Sequence, residues 1–284
     1  MTILCPVCNS HFKEWKHLYF YFAVYRCQGC GFIRAKELPS EQDLNNRYLT
    51  YTYREESKPD YITTIRYKKL LTQFEKYRKT SNVLDYGCGE GHFLDIAKLH
   101  RWNPFGYEIS EKAKEIVRQK GVCALSISEF EKYKETFDVI TCIEVIEHVR
   151  DISEIIRHLF ALLREGGCLY ITTPNINSLS LRFQKERGNV IAFPEHLNYF
   201  STRSIRTLFE TQFSIVSLKT TGLQPFPRQA TIHGIVAQAK HLNIKSEQKW
   251  HFKIFKTFIN LILSIFGIGD TLKILVEKCS AKTK

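Results

Sequence analysis

Apolar runs alternate along the middle of the chain with segments in which apolar residues recur every three or four positions. The runs predict buried strands, and the longer spacing predicts helices with one buried face. We expect a strand before Gly87, another at 213–219, and helices at 60–78, 91–100, 111–120, 151–164 and 202–211. This alternation indicates an α/β fold with a mostly parallel sheet. Ligands of such sheets bind beyond the carboxyl ends of the strands.

A glycine-rich turn follows the first of these strands. Residues 82–94 read Asn-Val-Leu-Asp-Tyr-Gly-Cys-Gly-Glu-Gly-His-Phe-Leu, with glycines at 87, 89 and 91. Glycine lets the backbone turn tightly and approach a ligand closely. The spacing differs from the Gly-x-Gly-x-x-Gly turn that places a pyrophosphate on a helix N-terminus, and Asp85 precedes the first glycine. The acidic residue favours a cationic or amine-bearing ligand.

This turn resembles motif I of the class I S-adenosylmethionine (SAM) dependent methyltransferases, and three later blocks resemble that family in the same order. Residues 105–110 are similar to its second strand, 137–149 to its fourth strand and the start of the next helix, and 162–175 to a glycine-capped helix end and a strand. The 137–149 block is close to the ubiquinone O-methyltransferase pattern of methyltransferase domain 23. The resemblance implies a Rossmann-like, doubly wound sheet of seven strands.

The same resemblance implies a SAM site at the strand ends. Glu108 ends the second strand, where a carboxylate can accept two hydrogen bonds from a ribose diol. Ile109 and Ile143 offer apolar contact to the adenine and methionine parts of SAM. The predicted cofactor-binding residues are Asp85, Gly87, Cys88, Gly89, Glu108, Ile109 and Ile143.

Glutamates and histidines form a second group of candidate residues. Glu144, Glu147 and His148 are predicted to share a face at a helix start, and His196 lies in a Pro-Glu-His-Leu-Asn-Tyr-Phe-Ser block. In one interpretation His148 or His196 is the catalytic base, oriented by Glu147. In another, all four residues bind Mg²⁺, which lowers the pKa of an acceptor hydroxyl, as in metal-dependent small-RNA 2′-O-methyltransferases, which this motif resembles. A purely structural role is the third alternative.

Two Cys-x-x-Cys pairs stand near the N-terminus. Cys5, Cys8, Cys27 and Cys30 supply four thiolates for one tetrahedral Zn²⁺ and leave no open position for chemistry, so we expect a structural zinc ribbon. A segment of about thirty residues cannot bury enough apolar surface to fold without such a metal. No signal-peptide pattern is seen, and we expect a reduced, cytoplasmic protein. The aromatic residues between the pairs either contact a substrate or partner, or pack the ribbon onto the main domain.

Charge is unevenly distributed along the chain, whose formal net charge is +12. Residues 1–80 carry 14 basic and 8 acidic residues, 81–200 carry 14 and 17, and 201–284 carry 13 and 4. Basic ends around a mildly acidic core would attract an anionic substrate or surface.

Three domains are predicted along the chain: a zinc ribbon at 1–33, a linker with an N-terminal helix at 34–80, and a SAM-dependent methyltransferase domain at 81–284. Residues 269–278 resemble the family's seventh strand, which makes 225–268 a helical insertion. The apolar stretch at 250–268 is too short to span a bilayer. It either packs as a helix, lid or dimer face, or contacts the inner face of the membrane peripherally.

The sequence therefore predicts a SAM-dependent methyltransferase. The leading hypothesis is O-methylation of a small-molecule, sugar, glycan or quinone-like acceptor that is anionic. The alternative is an RNA methyltransferase, acting on a ribose 2′-oxygen or a base, whose ribbon and basic ends bind the phosphate backbone. A third hypothesis is a protein that binds SAM but does not catalyse methyl transfer.

Overall fold

The computed structural model describes residues 3–17, 19–50, 59–184, 190–223 and 248–279. Its contacts divide the chain into two compact units built from interleaved segments. Unit 1 comprises 1–38, 173–208 and 218–273, and unit 2 comprises 39–172, 209–217 and 274–284. The predicted domains follow chain order, whereas these units do not; the boundaries at 33 and 80 stay predictions.

Strands and helices alternate through most of the chain. The strands are β1 Phe12–Trp15, β2 Val24–Cys27, β3 Ile33–Ala35, β4 Asn82–Tyr86, β5 Asn103–Tyr107, β6 Cys123–Leu125, β7 Phe137–Ile143, β8 Leu163–Pro174, β9 Asn198–Tyr199, β10 Phe213–Thr221 and β11 Thr271–Lys278. The helices are α1 Glu41–Thr50, α2 Tyr61–Phe74, α3 His92–Leu99, α4 Glu111–Gln119, α5 Ile152–Leu162, α6 Leu179–Gln184, α7 Thr202–Phe209 and α8 Gln248–Ile265. Short 3₁₀ helices cover Glu75–Tyr77 and Ile127–Tyr133.

Seven strands form one sheet in the order β10-β11-β8-β7-β4-β5-β6. The pairs β4–β5, β4–β7, β5–β6 and β7–β8 are parallel. The chain leaves β4 towards β5 on one side and returns to β7 on the other, so the strand order reverses at β4. The predicted α/β, doubly wound fold is confirmed, and the reversal marks the edge where ligands of such sheets bind.

The 162–167 segment differs from the predicted glycine-capped helix end. Helix α5 stops at Leu162 and β8 begins with the next residue. Phe137 pairs with Leu163 but Val139 pairs with Cys168, so the residues between form a bulge. Gly166 has a φ of 65°, which suits glycine at this position. Gly166 and Gly167 therefore lie in a strand bulge, next to the buried Arg164.

The Glu144–His148 segment also differs from prediction. Helix α5 begins only at Ile152, where Asp151 caps it by accepting a hydrogen bond from the Glu154 amide at 3.0 Å. The preceding residues form a turn in which Glu144 has a φ of 55°. Glu144 is exposed whereas Glu147 is buried. The prediction that these side chains share one helical face is wrong, because the cap at Asp151 starts the helix one turn later.

Unit 1 contains a four-stranded antiparallel sheet in the order β1-β2-β3-β9. The fourth strand comes from the Pro-Glu-His-Leu-Asn-Tyr-Phe-Ser block: Tyr199 pairs with Ile33, and the Ala35 amide donates to the Leu197 carbonyl at 2.9 Å. Trp15, Phe20 and other ribbon aromatics pack against the buried cluster around Tyr199. These residues therefore pack within unit 1, and their contact with a substrate or partner stays a prediction.

Helix α8 lies within the predicted insertion. A helix at Gln248–Ile265 confirms the helical prediction for these positions, while residues 225–247 lie outside the described residues. Phe258, Leu261 and Phe266 expose more than half of their surface. Within the described part of the chain, no helix combines the length and apolar character needed to cross a membrane.

A buried carboxylate stabilises the start of the central strands in unit 2. Asp138 is fully buried and accepts hydrogen bonds from the amides of Lys79, Thr80 and Ser81 at 2.7–2.8 Å. It also pairs with Arg164, which in turn donates to the Tyr77 carbonyl. Burial alone would raise the pKa of Asp138, but Arg164 and the three amides hold that pKa below its ordinary value.

We expect Asp138→Asn to reduce the free energy of unfolding by about 3–5 kcal/mol, because the substitution leaves Arg164 without its buried partner. Urea unfolding followed by circular dichroism measures the change. The loss should shrink as the pH falls below about 4, since the wild-type carboxylate then takes up a proton and loses its own contribution. Glu165→Gln removes the same charge from an exposed neighbour and should leave stability unchanged; equal effects of the two substitutions would contradict the assignment.

Candidate functional site

The turn after β4 brings backbone amides to the edge of the sheet. The amides of Gly87 and Cys88 both donate to the Tyr107 carbonyl at the end of β5, at 2.7 and 3.1 Å. Gly87 has a φ of 82°, and a Cβ there would lie 2.4 Å from Cγ2 of Val145. At Gly89, with a φ of 50°, a Cβ would meet no atom of the described residues within 4 Å. Gly87 is therefore fixed by packing, whereas Gly89 borders open space.

Glu108 follows β5 and is held by three amides. Its carboxylate accepts hydrogen bonds from Gly89 at 3.0 Å, Ile109 at 2.7 Å and Ser110 at 3.2 Å. Only 9% of the residue is exposed. The amides fix the orientation of both carboxylate oxygens before any ligand arrives, which is the preorganisation that a diol-binding carboxylate needs.

Asp85 is the last but one residue of β4 and lies in the sheet's interior. Thr141 of β7 pairs with it in register and donates a hydrogen bond from its hydroxyl at 2.6 Å. Burial raises the pKa of Asp85 to about 7, with a further rise from the charge of Glu108 and an opposing effect of Thr141. A cation bound beside Asp85 would therefore favour its ionised form.

Two cavities adjoin at Gly87. The first, which we call the turn cavity, has a volume of about 330 Å³ and is lined by Asp85, Cys88, Gly89 and Ile143, together with Tyr67 and Phe93. The second, which we call the strand-end cavity, has a volume of about 450 Å³, and its lining includes Glu108, Ile109, Ile127, Val145 and His148. All seven residues predicted to bind SAM line one cavity or the other; their contact with SAM stays a prediction.

The chemistry of the two cavities fits SAM. A buried acid next to an apolar wall suits a positively charged methionine group, and Glu108 suits a ribose diol. Ile109 and Ile127 provide an apolar surface for a planar base. The open space at Gly89 leaves room for a ligand that extends along the turn from one cavity to the other.

Glu144, Glu147 and His148 all belong to unit 2 but have different surroundings. His148 lines the strand-end cavity, and its Nε2 lies 3.8 Å from Oε1 of the buried Glu147. Glu144 accepts a hydrogen bond from the Thr172 hydroxyl at 2.7 Å. Glu144 and His148 thus both line the strand-end cavity with Glu108, whereas Glu147 is buried beside His148.

His196 belongs to unit 1. Its Nδ1 lies 2.8 Å from the Val190 carbonyl oxygen, which can only accept, so Nδ1 carries the proton and a neutral ring keeps its lone pair on Nε2. Burial lowers the pKa of His196, with a smaller opposing effect of the Val190 carbonyl. The ring is consequently neutral near pH 7, the form that can accept a proton.

The four ribbon cysteines converge within unit 1. Their sulfur atoms all lie within 4.8 Å of one another, with 3.8 Å between Cys5 and Cys30 and 3.3 Å between Cys8 and Cys27. Tetrahedral zinc with Zn–S distances of about 2.3 Å separates its sulfurs by about 3.8 Å. Gly29, between Cys27 and Cys30, leaves room for the Ser10 hydroxyl, because a Cβ on Gly29 would lie 2.3 Å from it. The cluster is therefore a site that can hold a metal ion.

Thr141, Tyr67 and Ile127 belong to the site but were missed by sequence reasoning. Thr141 reaches Asp85 only through the β4–β7 register, which the sequence does not specify, although its place in the middle of an apolar strand was a detectable signal. Tyr67 of α2 lines the turn cavity, and burial raises its pKa to about 12. Its ring packs edge-on against Phe93, with centroids 5.4 Å apart.

Comparison with known proteins links this site to methyltransferases. The profile of a family described as a methyltransferase domain matches residues 53–218, more than half of the chain. A ubiquinone biosynthesis O-methyltransferase of Coxiella burnetii is 31% identical over 107 residues, which cover 35% of this chain and 46% of the relative. The corresponding protein of Bordetella pertussis is 31% identical over 110 residues, with 36% and 46% covered. The chain thus spans about half the length of the curated relatives it matches.

Solved structures agree in fold. The PH0226 protein of Pyrococcus horikoshii superimposes with a TM-score of 0.51 at 16% identity, over 82% of this chain and 98% of that one. The [4+2]-cyclase SpnF superimposes with a TM-score of 0.54 at 13% identity, over 86% and 98%. At these identities the likeness concerns the fold alone, and it agrees with the predicted Rossmann-like sheet.

We expect SAM affinity to rise between about pH 6 and pH 7.5, because the Asp85 carboxylate must ionise to attract the cationic ligand. Asp85→Asn should remove this pH dependence and weaken binding about tenfold or more at the upper pH, the usual range for a lost charged hydrogen bond. Calorimetric titration measures both effects. Glu115→Gln, which removes an exposed acid, serves as the matched control.

Unfolding measurements on Asp85→Asn distinguish a loss of SAM binding from a loss of folded structure. The pKa of Asp85 is higher in the folded chain than the value of about 3.9 in an unfolded one, so the unliganded protein loses stability as the pH rises towards 7. Asp85→Asn should therefore be at least as stable as wild type near pH 8. A variant that binds SAM like wild type would contradict the role of Asp85.

We expect the purified chain to retain one tightly bound metal ion, which the double substitution of Cys8→Ser and Cys30→Ser removes. Four thiolates at these distances complete a tetrahedral shell, and two do not. Elemental analysis measures the content, with exposed Cys123→Ser as the control. Retention of a full equivalent by the double variant would overturn the site.

Proposed function

The chain belongs to the methyltransferase-domain family, within the class I SAM-dependent methyltransferases, and we propose that it transfers a methyl group from SAM to an oxygen atom of a small acceptor. The observation that carries this proposal is the meeting of two buried acids, Asp85 and Glu108, at one glycine turn. Among the described residues, no basic side chain forms an ion pair with either acid, which suits a cationic, diol-bearing ligand. When bound, SAM supplies an electrophilic methyl group.

Binding and alignment are the main tasks of the cavity residues. Glu108 would hold the ribose hydroxyls, and Asp85 the positively charged methionine end. Ile109 and Ile127 would cover the base, and Ile143 the methionine chain. Direct displacement from a sulfonium needs donor and acceptor in line, so a fixed ligand supplies a large part of the rate.

Proton removal from the acceptor hydroxyl falls to a histidine in this proposal. His148 shares its cavity with Glu108, and Glu147 lies beside it as an orienting carboxylate. His196 is the second candidate base, because its Nδ1 proton is held by the Val190 carbonyl and its ring is neutral. We favour the base over a Mg²⁺ site because Glu144, which the metal interpretation requires, is exposed and bonded to Thr172.

Zinc is the metal we propose for the cysteine cluster, in a structural role. Four sulfurs fill a tetrahedral shell, so no position is left for an acceptor. Thiolate ligands require a reducing compartment, and the cytoplasm is therefore part of the proposal.

The acceptor class rests on the relatives. The matched proteins are named as ubiquinone biosynthesis O-methyltransferases, which supports oxygen as the acceptor atom. We propose a sugar, glycan or quinone-like hydroxyl, anionic in view of the basic chain. An RNA acceptor and a peripheral membrane contact through 250–268 stay predictions from the sequence.

We expect His148→Ala or His196→Ala to lower kcat about a hundredfold or more, since general bases contribute at this scale, with SAM affinity within about twofold of wild type. A radiolabelled-methyl assay over quinol, sugar-nucleotide and RNA acceptors measures turnover, and His11→Ala is the exposed control. Turnover should survive EDTA if no Mg²⁺ takes part. Methylation of RNA alone, or full activity in both variants, would contradict the proposal.

A further inference from the structure

A third cavity lies wholly within unit 1 and is separate from the residues assigned to SAM. Its volume is about 360 Å³, and its lining includes Arg26, Arg182 and Arg203. The three arginines come from β2, α6 and α7, so distant parts of the chain bring them together. Within the part of the chain that the structure describes, the residues that line this cavity include no aspartate or glutamate.

The three guanidinium groups have no acidic partner among the residues that the structure describes. No ion pair joins any of them to a carboxylate of the described residues. Arg26 instead lies over the ring of Trp15, 5.0 Å from its centroid. Arginine stays charged at every physiological pH. Like charges gathered in one cavity repel, and a bound anion relieves that repulsion.

Aromatic residues give one wall of this cavity a fixed shape. Trp15 stacks on His17 with centroids 4.6 Å apart, and His17 meets Tyr19 edge-on at 4.4 Å. Trp15, Tyr19 and Phe20 also pack against the buried cluster of unit 1. The wall that carries Arg26 is therefore anchored, which lowers the entropic cost of placing its charge on a ligand.

We propose that this cavity binds the phosphate or diphosphate group of an organic ligand. Planar guanidinium forks match phosphate oxygens in pairs, and three forks carried by separate elements offer more donors than a single carboxylate can accept. The cavity is large enough for a small organic molecule beyond the phosphate. Cys30 also lines it, and a zinc ion with four thiolates carries a net charge of −2, which three arginines exceed.

The proposal of phosphate binding does not depend on the proposed methyl transfer, so an experiment can disprove either one without the other. A ligand anchored by its phosphate would be the anionic species that the basic chain attracts. Sugar nucleotides and prenyl-linked intermediates both offer a diphosphate, and the cavity's three arginines recognise the group that they share.

Calorimetric titration of the full-length, metal-loaded protein with inorganic pyrophosphate tests the proposal. Uridine diphosphate and geranyl diphosphate form two further arms that distinguish a nucleotide source from a lipid source. We expect binding by at least one diphosphate that weakens steeply as salt rises. Arg203→Ala and Arg182→Ala should each weaken it about tenfold or more, because each loses a charged hydrogen-bond pair.

Arg206→Ala is the matched control, since Arg206 is exposed on the same helix as Arg203 but does not line the cavity. Unchanged SAM affinity in every variant shows that unit 2 is intact. Absence of binding by all three diphosphates at about 1 mM, or equal effects of Arg203→Ala and Arg206→Ala, would overturn the proposal.

Discussion

The hydrogen bonding of β4 to a parallel neighbour on each side is the constraint on which the candidate cofactor site depends. Register places Asp85 opposite Gly106 of β5 and Thr141 of β7. All three strands consequently end at one edge, where the turn after β4 meets Glu108 and the segment after β7. Val145 then packs so closely on Gly87 that no side chain fits between them. The acid pair, the amides and the apolar walls follow from that one arrangement.

Unit 1 depends on a different kind of constraint. Its small sheet has short strands, and four cysteine sulfurs converge there, from Cys5 and Cys8 before β1, Cys27 at the end of β2 and Cys30 before β3. The ribbon gains a fourth strand from residues 198–199, far along the chain, and buries its aromatic residues against that strand. A metal at the cysteines would fix the position of the strand that carries Arg26, together with the pairing of the fourth strand. Arg203 lies shortly after that fourth strand along the chain.

Sequence reasoning could select residues that line the two cavities because these residues lie in short contiguous motifs, each next to the end of a strand. Asp85, Glu108 and Ile143 could be found without knowing which strands pair. Thr141 could not be found in this way, because its contact with Asp85 depends on strand register. The arginine cavity could not be found either, because its residues come from segments more than a hundred residues apart. The two local errors fall where the backbone adopts positive φ, at Glu144 and at Gly166, and side-chain periodicity does not report such backbone conformations.

The crystal structure of the protein with S-adenosylhomocysteine tests the central claim most directly. We expect the ribose hydroxyls within hydrogen-bond distance of the Glu108 carboxylate, the methionine end beside Asp85, and the base against Ile109 and Ile127. A ligand located elsewhere, or one whose ribose makes no contact with Glu108, would contradict the assignment of the glycine turn as a SAM site.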